Sequence, residues 1–327
     1  GYIPLESVYG YEPVPESLTP EEAAHIIGVQ ANLWTEYIPN FRQVEYMELP
    51  RMAALAEVQW TDPSLKEYDS FLARLPQLVR IYDLEGYNYA KHVFDVNVSF
   101  LPNPAEGALD VTLLAIDSAD IHYTLDGTDP TAASPKYTDT LKIKEPCTLK
   151  AVVVRPNGNS RVFSEEIFFN KASMKPITML QPINKQYEYK GAATLTDGLK
   201  GNDNYKTGRW IAFWQNDMEA VIDLLEPTEI SQAQIETCVA KGDWVFDARY
   251  FGVAVSDDGK TFRTVAEADY PAMGEQDRNG VYEHALTFDP VKTRYVKIIV
   301  KPEHSMPAWH GGKGSPAFVF IDEISLN

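Results

Sequence analysis

The chain has 327 residues, 44% of them hydrophobic, and a formal net charge of −18 at neutral pH. That length and apolar content support two or three globular domains. The negative charge argues against nucleic acid and anionic membrane surfaces as partners, and no apolar run approaches bilayer-spanning length.

Read from the N-terminus, Gly1 opens what looks like mid-domain sequence, so a piece of a longer protein is expected. The first apolar run, Ile26 to Leu33, predicts a strand ending in Trp34-Thr35-Glu36. On a strand, that spacing puts Trp34 and Glu36 on one face. An aromatic plane beside a fixed acceptor suits a sugar, whose C–H face stacks on indole while its hydroxyls bind carboxylate. The same pattern also describes a core tryptophan with a salt-bridged glutamate. Next, Leu49, Met52, Ala53, Ala56 and Trp60 recur at helical spacing and predict one apolar stripe.

Leu33-Trp34-Thr35-Glu36-Tyr37, followed by Pro50-Arg51-Met52-Ala53-Ala54-Leu55-Ala56-Glu57-Val58-Gln59-Trp60, resembles the end of the catalytic barrel of glycoside hydrolase family 20, the β-N-acetylhexosaminidases. The resemblance implies that residues 1–94 are the C-terminal remnant of a (β/α)8 barrel, whose active site lies at the strand C-terminal ends. It implies that Trp34 walls the sugar pocket and Glu36 binds the outer hydroxyls of a terminal N-acetylhexosamine. The family's substrate-assisted retaining hydrolysis uses an adjacent Asp-Glu pair: the Glu is general acid, and the Asp steadies the substrate acetamide. No Asp-Glu dipeptide occurs in residues 1–95, and Asp322-Glu323 falls in another domain. An inactive fragment of a glycosidase is therefore expected, without a catalytic cofactor. Its parent would act on N-acetylhexosamine-containing glycans and be secreted, periplasmic or on the cell surface. No Walker loop, His-Cys metal spacing or Gly-x-Ser-x-Gly turn offers other chemistry.

Residues 66–90 predict a helix with Phe71, Leu72, Leu75, Leu78, Val79 and Tyr82 on its apolar face and Gly86 as its stop. Without earlier barrel strands this region is expected to be rearranged, partly disordered or paired with another chain. From Phe94 the pattern turns to short alternating strands. Ile121, Tyr123 and Leu125 precede Asp126-Gly127, a hairpin signal, and Leu149, Ala151 and Val153 alternate later. The stretch from Ile121 to Thr131 resembles the small C-terminal sandwich of chitobiases and hexosaminidases. Residues 95–172 are thus expected to form an immunoglobulin-like β-sandwich acting as a spacer, with His122 an ordinary strand residue.

Residues 173–186 carry two X-Pro pairs and no periodicity, which predicts a linker. Beyond it, Ala193 to Gly201, Thr207 to Trp210, Ala220 to Leu224, Val253 to Gly259, Thr293 to Ile298 and Phe320 to Ile324, short strands bounded by Gly or Asp turns, resemble in that order the discoidin, or coagulation-factor type C, domain. That implies an eight-stranded jelly roll over 187–327, expected to fold on its own. Cys147 and Cys238 then sit in different domains, which points to free thiols. Asp197 and the loop Gly201-Asn202-Asp203-Asn204 gather hard oxygen donors of the kind Ca²⁺ takes. The resemblance adds Glu323, giving Asp197, Asp203 and Glu323 as a candidate structural calcium set; the alternative is a plain turn and a solvated loop. Among Trp210, Trp214, Trp244, Arg249, His304, Trp309 and His310, the first reads as a core residue. Trp309, His310 and His304 are the candidate glycan contacts, with Trp309 to Gly314 an exposed loop freed by its glycines. Two function classes remain: a hydrolase fragment, and a carbohydrate-binding or structural accessory module.

Overall fold

A computed structural model describes residues 3–156 and 158–327. Its first part is helical: α1 (Leu5–Tyr9), α2 (Pro20–Ala23), α3 (Phe41–Glu48), α4 (Arg51–Trp60) and α5 (Tyr68–Glu85). The Asn40 side chain accepts the Gln43 amide at 3.0 Å and caps α3. Helix α5 runs through Pro76 and stops at Gly86, whose φ of 75° is left-handed. Phe71, Leu75, Val79 and Tyr82 of α5 pack with Leu5, Tyr9, Ala54 and Tyr89 into a small core, as their spacing predicts.

Two expectations for this region fail. Ile26 to Leu33 form no strand, and none of the described residues before Asn97 belongs to one. A barrel strand exists only through its neighbours' N–H and C=O groups; here Val29 O accepts the Gln59 side-chain amide, at 3.0 Å. The predicted stripe on α4 is also divided. Ala54 and Val58 are the buried positions, while Met52, Ala56 and Trp60, one turn apart, face solvent. Helical spacing identified an apolar face, but that face has no partner, and the helix instead buries its Ala54 side against α1 and α5.

The middle domain contains β1 (Asn97–Asn103), β2 (Ala108–Leu114), β3 (Ile121–Thr124), β4 (Leu141–Ile143), β5 (Cys147–Val153) and β6 (Phe163–Ile167). They form two three-stranded antiparallel sheets, ordered β1-β2-β4 and β3-β5-β6. Leu109, Val111 and Leu113 from one sheet meet Leu149, Ala151 and Val153 from the other in a shared core. The Asp126-Gly127 turn is real: Asp126 Oδ1 accepts from Thr128 N at 3.0 Å, and Gly127 has φ 79°. It does not close a hairpin between consecutive strands, because β3 pairs with β5 while the chain crosses to β4 in the other sheet.

The last domain contains β7 (Ile177–Met179), β8 (Ile211–Trp214), β9 (Met218–Val239), β10 (Tyr250–Ser256), β11 (Arg263–Asp269), β12 (Gly280–Lys301) and β13 (Phe318–Leu326). Strands β9 and β12 are each 22 residues long and shift register midway, so both cross between two layers. One layer runs β11-β10-β12-β9-β7 through residues 295–300 of β12 and 218–223 of β9. The other runs β8-β13-β9-β12 through residues 232–239 and 280–287. Ile222, Ile235, Phe251, Ile298 and Ile324 fill the space between them. Among the described residues the expected eight strands over 187–327 are six, β8 to β13, joined by β7 from outside that range, and two of them bend. The putting-together also corrects the linker: residues 173–186 contain β7, which pairs with β9, and Asn184 N donates to Ala212 O at 2.8 Å. A three-residue strand is too short for periodicity to reveal.

Cys147 and Cys238 are free thiols, and no helix of the described residues is long and apolar enough to cross a membrane.

Candidate functional site

Trp34 and Glu36 lie on the exposed stretch before α3, with Trp34 74% accessible. Ile38 N donates to Thr35 O at 3.1 Å, so the chain turns immediately after Trp34. In the same N-terminal part of the chain Ile27, Tyr37, Phe41 and Trp60 are all more than two-thirds exposed. An aromatic and a carboxylate in open water cannot desolvate a sugar, so these residues need further walls to make a pocket. Two clefts lie elsewhere: one of about 1120 Å³ between the helices and the sandwich, and one of about 400 Å³ between α4 and α5.

The calcium candidates separate. Asp197 and Glu323 are buried, whereas Asp203 is exposed, and no group of three His, Cys, Asp or Glu side chains among the described residues is arranged to hold a metal. Glu323 Oε2 accepts from Gly198 N at 3.0 Å and Oε1 from Asn170 Nδ2 at 3.1 Å; Asp197 Oδ1 accepts from Leu199 N at 3.0 Å. Asp322, on the same strand, accepts from Gly201 N at 2.9 Å through Oδ2, while its buried Oδ1 has no hydrogen-bond partner among the described residues. Burial pushes Asp197 up to about 7, against the pull of Lys190. It pushes Asp322 up to about 8, reinforced by the Glu236 carboxylate, and raises Glu323 well above the usual carboxylate range, with Asp197 adding to the effect. Asp322 is the member that sequence reading missed, although a charged pair inside the apolar run Phe318 to Leu326 signals it.

These shifts fix a pH dependence. The folded state holds protons on these carboxylates after the unfolded chain has released them, so they stabilise below the unfolded values and the contribution is lost as pH rises through the folded ones. In metal-free protein, the melting temperature should fall from about pH 5 to about pH 8. Asp322→Asn should flatten that slope in differential scanning calorimetry, and an unchanged slope would remove Asp322 from the cluster.

The glycan candidates are held from behind. Trp309 Nε1 donates to Met273 O at 3.2 Å, and its ring stacks on Phe246 with centroids 5.9 Å apart. His310 Nε2 bonds Lys241 O at 2.9 Å, its Nδ1 accepts from Gly312 N at 3.0 Å, and its ring meets Phe246 edge-on. Lys241 Nζ in turn donates to the carbonyls of Glu275 and Asp277, tying three loops together. Gly312 is buried, and a Cβ there would sit 2.5 Å from Met306 Cε and 3.0 Å from Trp244. That glycine allows close approach, so Gly312 packs under Met306 and Trp244, while Gly311, Lys313 and Gly314 of the same loop are exposed. His304 is exposed and bonds Asp217 Oδ1 at 2.9 Å.

The more open aromatics at this end are Trp244, 40% accessible, and Trp214, 37%. Trp214 stacks one face on Phe318 at 5.7 Å and donates Nε1 to Pro316 O at 3.2 Å. Trp210 is fully buried, as its core reading predicts.

Residues 1–63 match the Glycosyl hydrolase family 20 catalytic domain, residues 111–167 the Fn3 associated domain, and residues 177–316 the F5/8 type C domain. A beta-hexosaminidase of Porphyromonas gingivalis is 34% identical over 167 residues, which are 48% of this chain and 20% of that protein. A beta-N-acetylhexosaminidase of Cellulomonas fimi is 37% identical over 92 residues, 27% of this chain and 18% of that protein. A fucose binding module of Streptococcus pneumoniae is 15% identical, with 49% of this chain on 98% of that one at a TM-score of 0.33, too low a likeness to bear on the fold. The chain spans about a fifth of the length of the curated relatives it matches. Segment by segment, the chain is similar to part of a family 20 glycosyl hydrolase catalytic domain, to an Fn3 associated domain and to an F5/8 type C domain, and the two curated relatives named above are β-hexosaminidases.

Proposed function

We propose that this chain is part of a β-N-acetylhexosaminidase that removes terminal N-acetylhexosamine from glycans by substrate-assisted retaining hydrolysis. The observation that carries the proposal is the position of Trp34 and Glu36: two residues apart and exposed, inside the segment matching the family 20 catalytic domain, in which the α4 face of Met52, Ala56 and Trp60 is also uncovered. In the whole catalytic domain that face and the stretch before Trp34 are covered by the rest of the barrel. Trp34 then walls the pocket, and Glu36 accepts from the outer hydroxyls of the sugar. The general acid and the acetamide-orienting Asp come from outside these residues. Such an enzyme works outside the cytoplasm, where its glycans are.

The experiment is Glu36→Gln in a protein whose catalytic domain is complete. Losing a charge-assisted hydrogen bond of about 1.5–3 kcal/mol lowers kcat/KM by roughly 10- to 150-fold. Kinetics equal to those of the parent would make Glu36 structural.

The type C domain supports an accessory carbohydrate-binding reading, for which Trp214 and Trp244 are the open aromatic faces and His304 the adjacent polar group. Asp197 and Glu323 are the buried carboxylates that would hold a structural Ca²⁺, with Asp203 outside the group. The ion would add positive charge beside this buried acidic pair, beyond the pull of Lys190 on Asp197. Added calcium should then raise the melting temperature and a chelator lower it, a response absent in Asp197→Ala.

A further inference from the structure

The chain between β6 and β7 is bonded to the jelly roll along its course. Phe168 N donates to Gly198 O at 2.8 Å, Lys171 N to Leu326 O at 3.0 Å and Met174 N to Thr196 O at 2.8 Å, and Pro176 O accepts from Asp223 N at 2.9 Å. Asn170 is the centre of this seam. Its Oδ1 accepts the amides of Ala172 at 2.8 Å and Leu326 at 3.1 Å, while its Nδ2 donates to Glu323.

The two cores interlock across it. Leu199, fully buried, and Met174 belong to the core of the sandwich, while Ala172 belongs to that of the jelly roll. Farther along, Arg209 Nη2 donates to Glu165 Oε2 at 3.1 Å, with its guanidinium 4.9 Å from the Phe100 ring centre, and Lys190 Nζ donates to Phe100 O at 2.9 Å. Gly198 has φ 75°, and a Cβ on it would stand 3.0 Å from Phe168 O. Only glycine meets both the left-handed backbone and the close approach.

Adjacent domains move relative to each other unless their interface is extensive and apolar. Here the interface is continuous with both cores. We propose that the sandwich and the jelly roll form one rigid body, locked by Asn170, Gly198 and Leu199, so that the loop end of the jelly roll is carried at a fixed offset from the sandwich. A surface held this way gains effective concentration only for ligands of matching geometry. The inference is independent of what the loops bind. The same contacts mean that a piece of residues 187–327 alone would lack β7, Ala172 and the Asn170 seam.

The test is pulsed-dipolar distance measurement on the 327-residue protein, with spin labels on encoded unnatural residues at Lys144 in the sandwich and Lys260 in the jelly roll, both exposed. One narrow distance distribution is expected; a broad or multiple one would overturn the proposal. Gly198→Ala and Arg209→Ala should each widen or shift the distribution while circular dichroism keeps its β signature. Should Gly198→Ala fail to fold, Arg209→Ala and the parent distribution still decide. Parent-like distributions in every folded variant would overturn the assignment of the seam.

Discussion

The 327-residue protein should release no aryl alcohol from an aryl N-acetyl-β-glucosaminide above the uncatalysed rate. Family 20 chemistry needs a general acid at the glycosidic oxygen and an Asp holding the acetamide, and residues 1–95 contain no Asp-Glu pair. A positioned acid or base alone contributes roughly 10²- to 10⁴-fold, and only groups that bind the transition state better than the substrate accelerate the step. Trp34 and Glu36, exposed and unwalled, supply neither. The assay is nitrophenol release over hours at high protein concentration. Turnover that a thiazoline analogue of the oxazolinium intermediate inhibits would contradict the proposal and reveal an acid among these residues.

Leu199→Ala should destabilise both β domains by about 2–5 kcal/mol, the usual cost of emptying a fully buried leucine site. Leu199 lies in the stretch leading into the jelly roll yet is buried in the sandwich core that also holds Leu149, Val153 and Ile167. The substitution should therefore lower amide hydrogen-exchange protection in β5 as well as in β13. Loss confined to β13 would show that the cores are separate and would count against the rigid joint.

Much of the architecture was legible because its signals are local. The alternation of Leu149, Ala151 and Val153, the Asp126-Gly127 turn and the Gly86 helix stop all act within a few residues, and the structure contains each of them. Non-local partners were not legible. Nothing around Ile26 to Leu33 says whether a neighbouring strand is available, so a strand-like run lies unpaired. The α4 stripe showed which residues are apolar without showing what covers them.

At the candidate sites the misreadings share one cause. Gly311 and Gly312 look like freedom in sequence, yet Gly312 is closed under Trp244 and Met306. Asp203 is close to Asp197 along the chain but exposed, while Asp322, far away in sequence, is buried beside the same loop through its bond to Gly201. Short-range spacing finds turns and faces. Burial of charge depends on which strands come together, and that is set by the whole domain.

The central claim is that Trp34 and Glu36 hold a terminal N-acetylhexosamine once the barrel is complete. Its most direct test is a crystal structure of a protein carrying this segment within its whole catalytic domain, bound to the thiazoline analogue. The account predicts the Trp34 indole against the pyranose ring and the Glu36 carboxylate within hydrogen-bond distance, roughly 2.7–3.0 Å, of its outer hydroxyls. A sugar bound in the barrel with both side chains turned away from it would contradict the account.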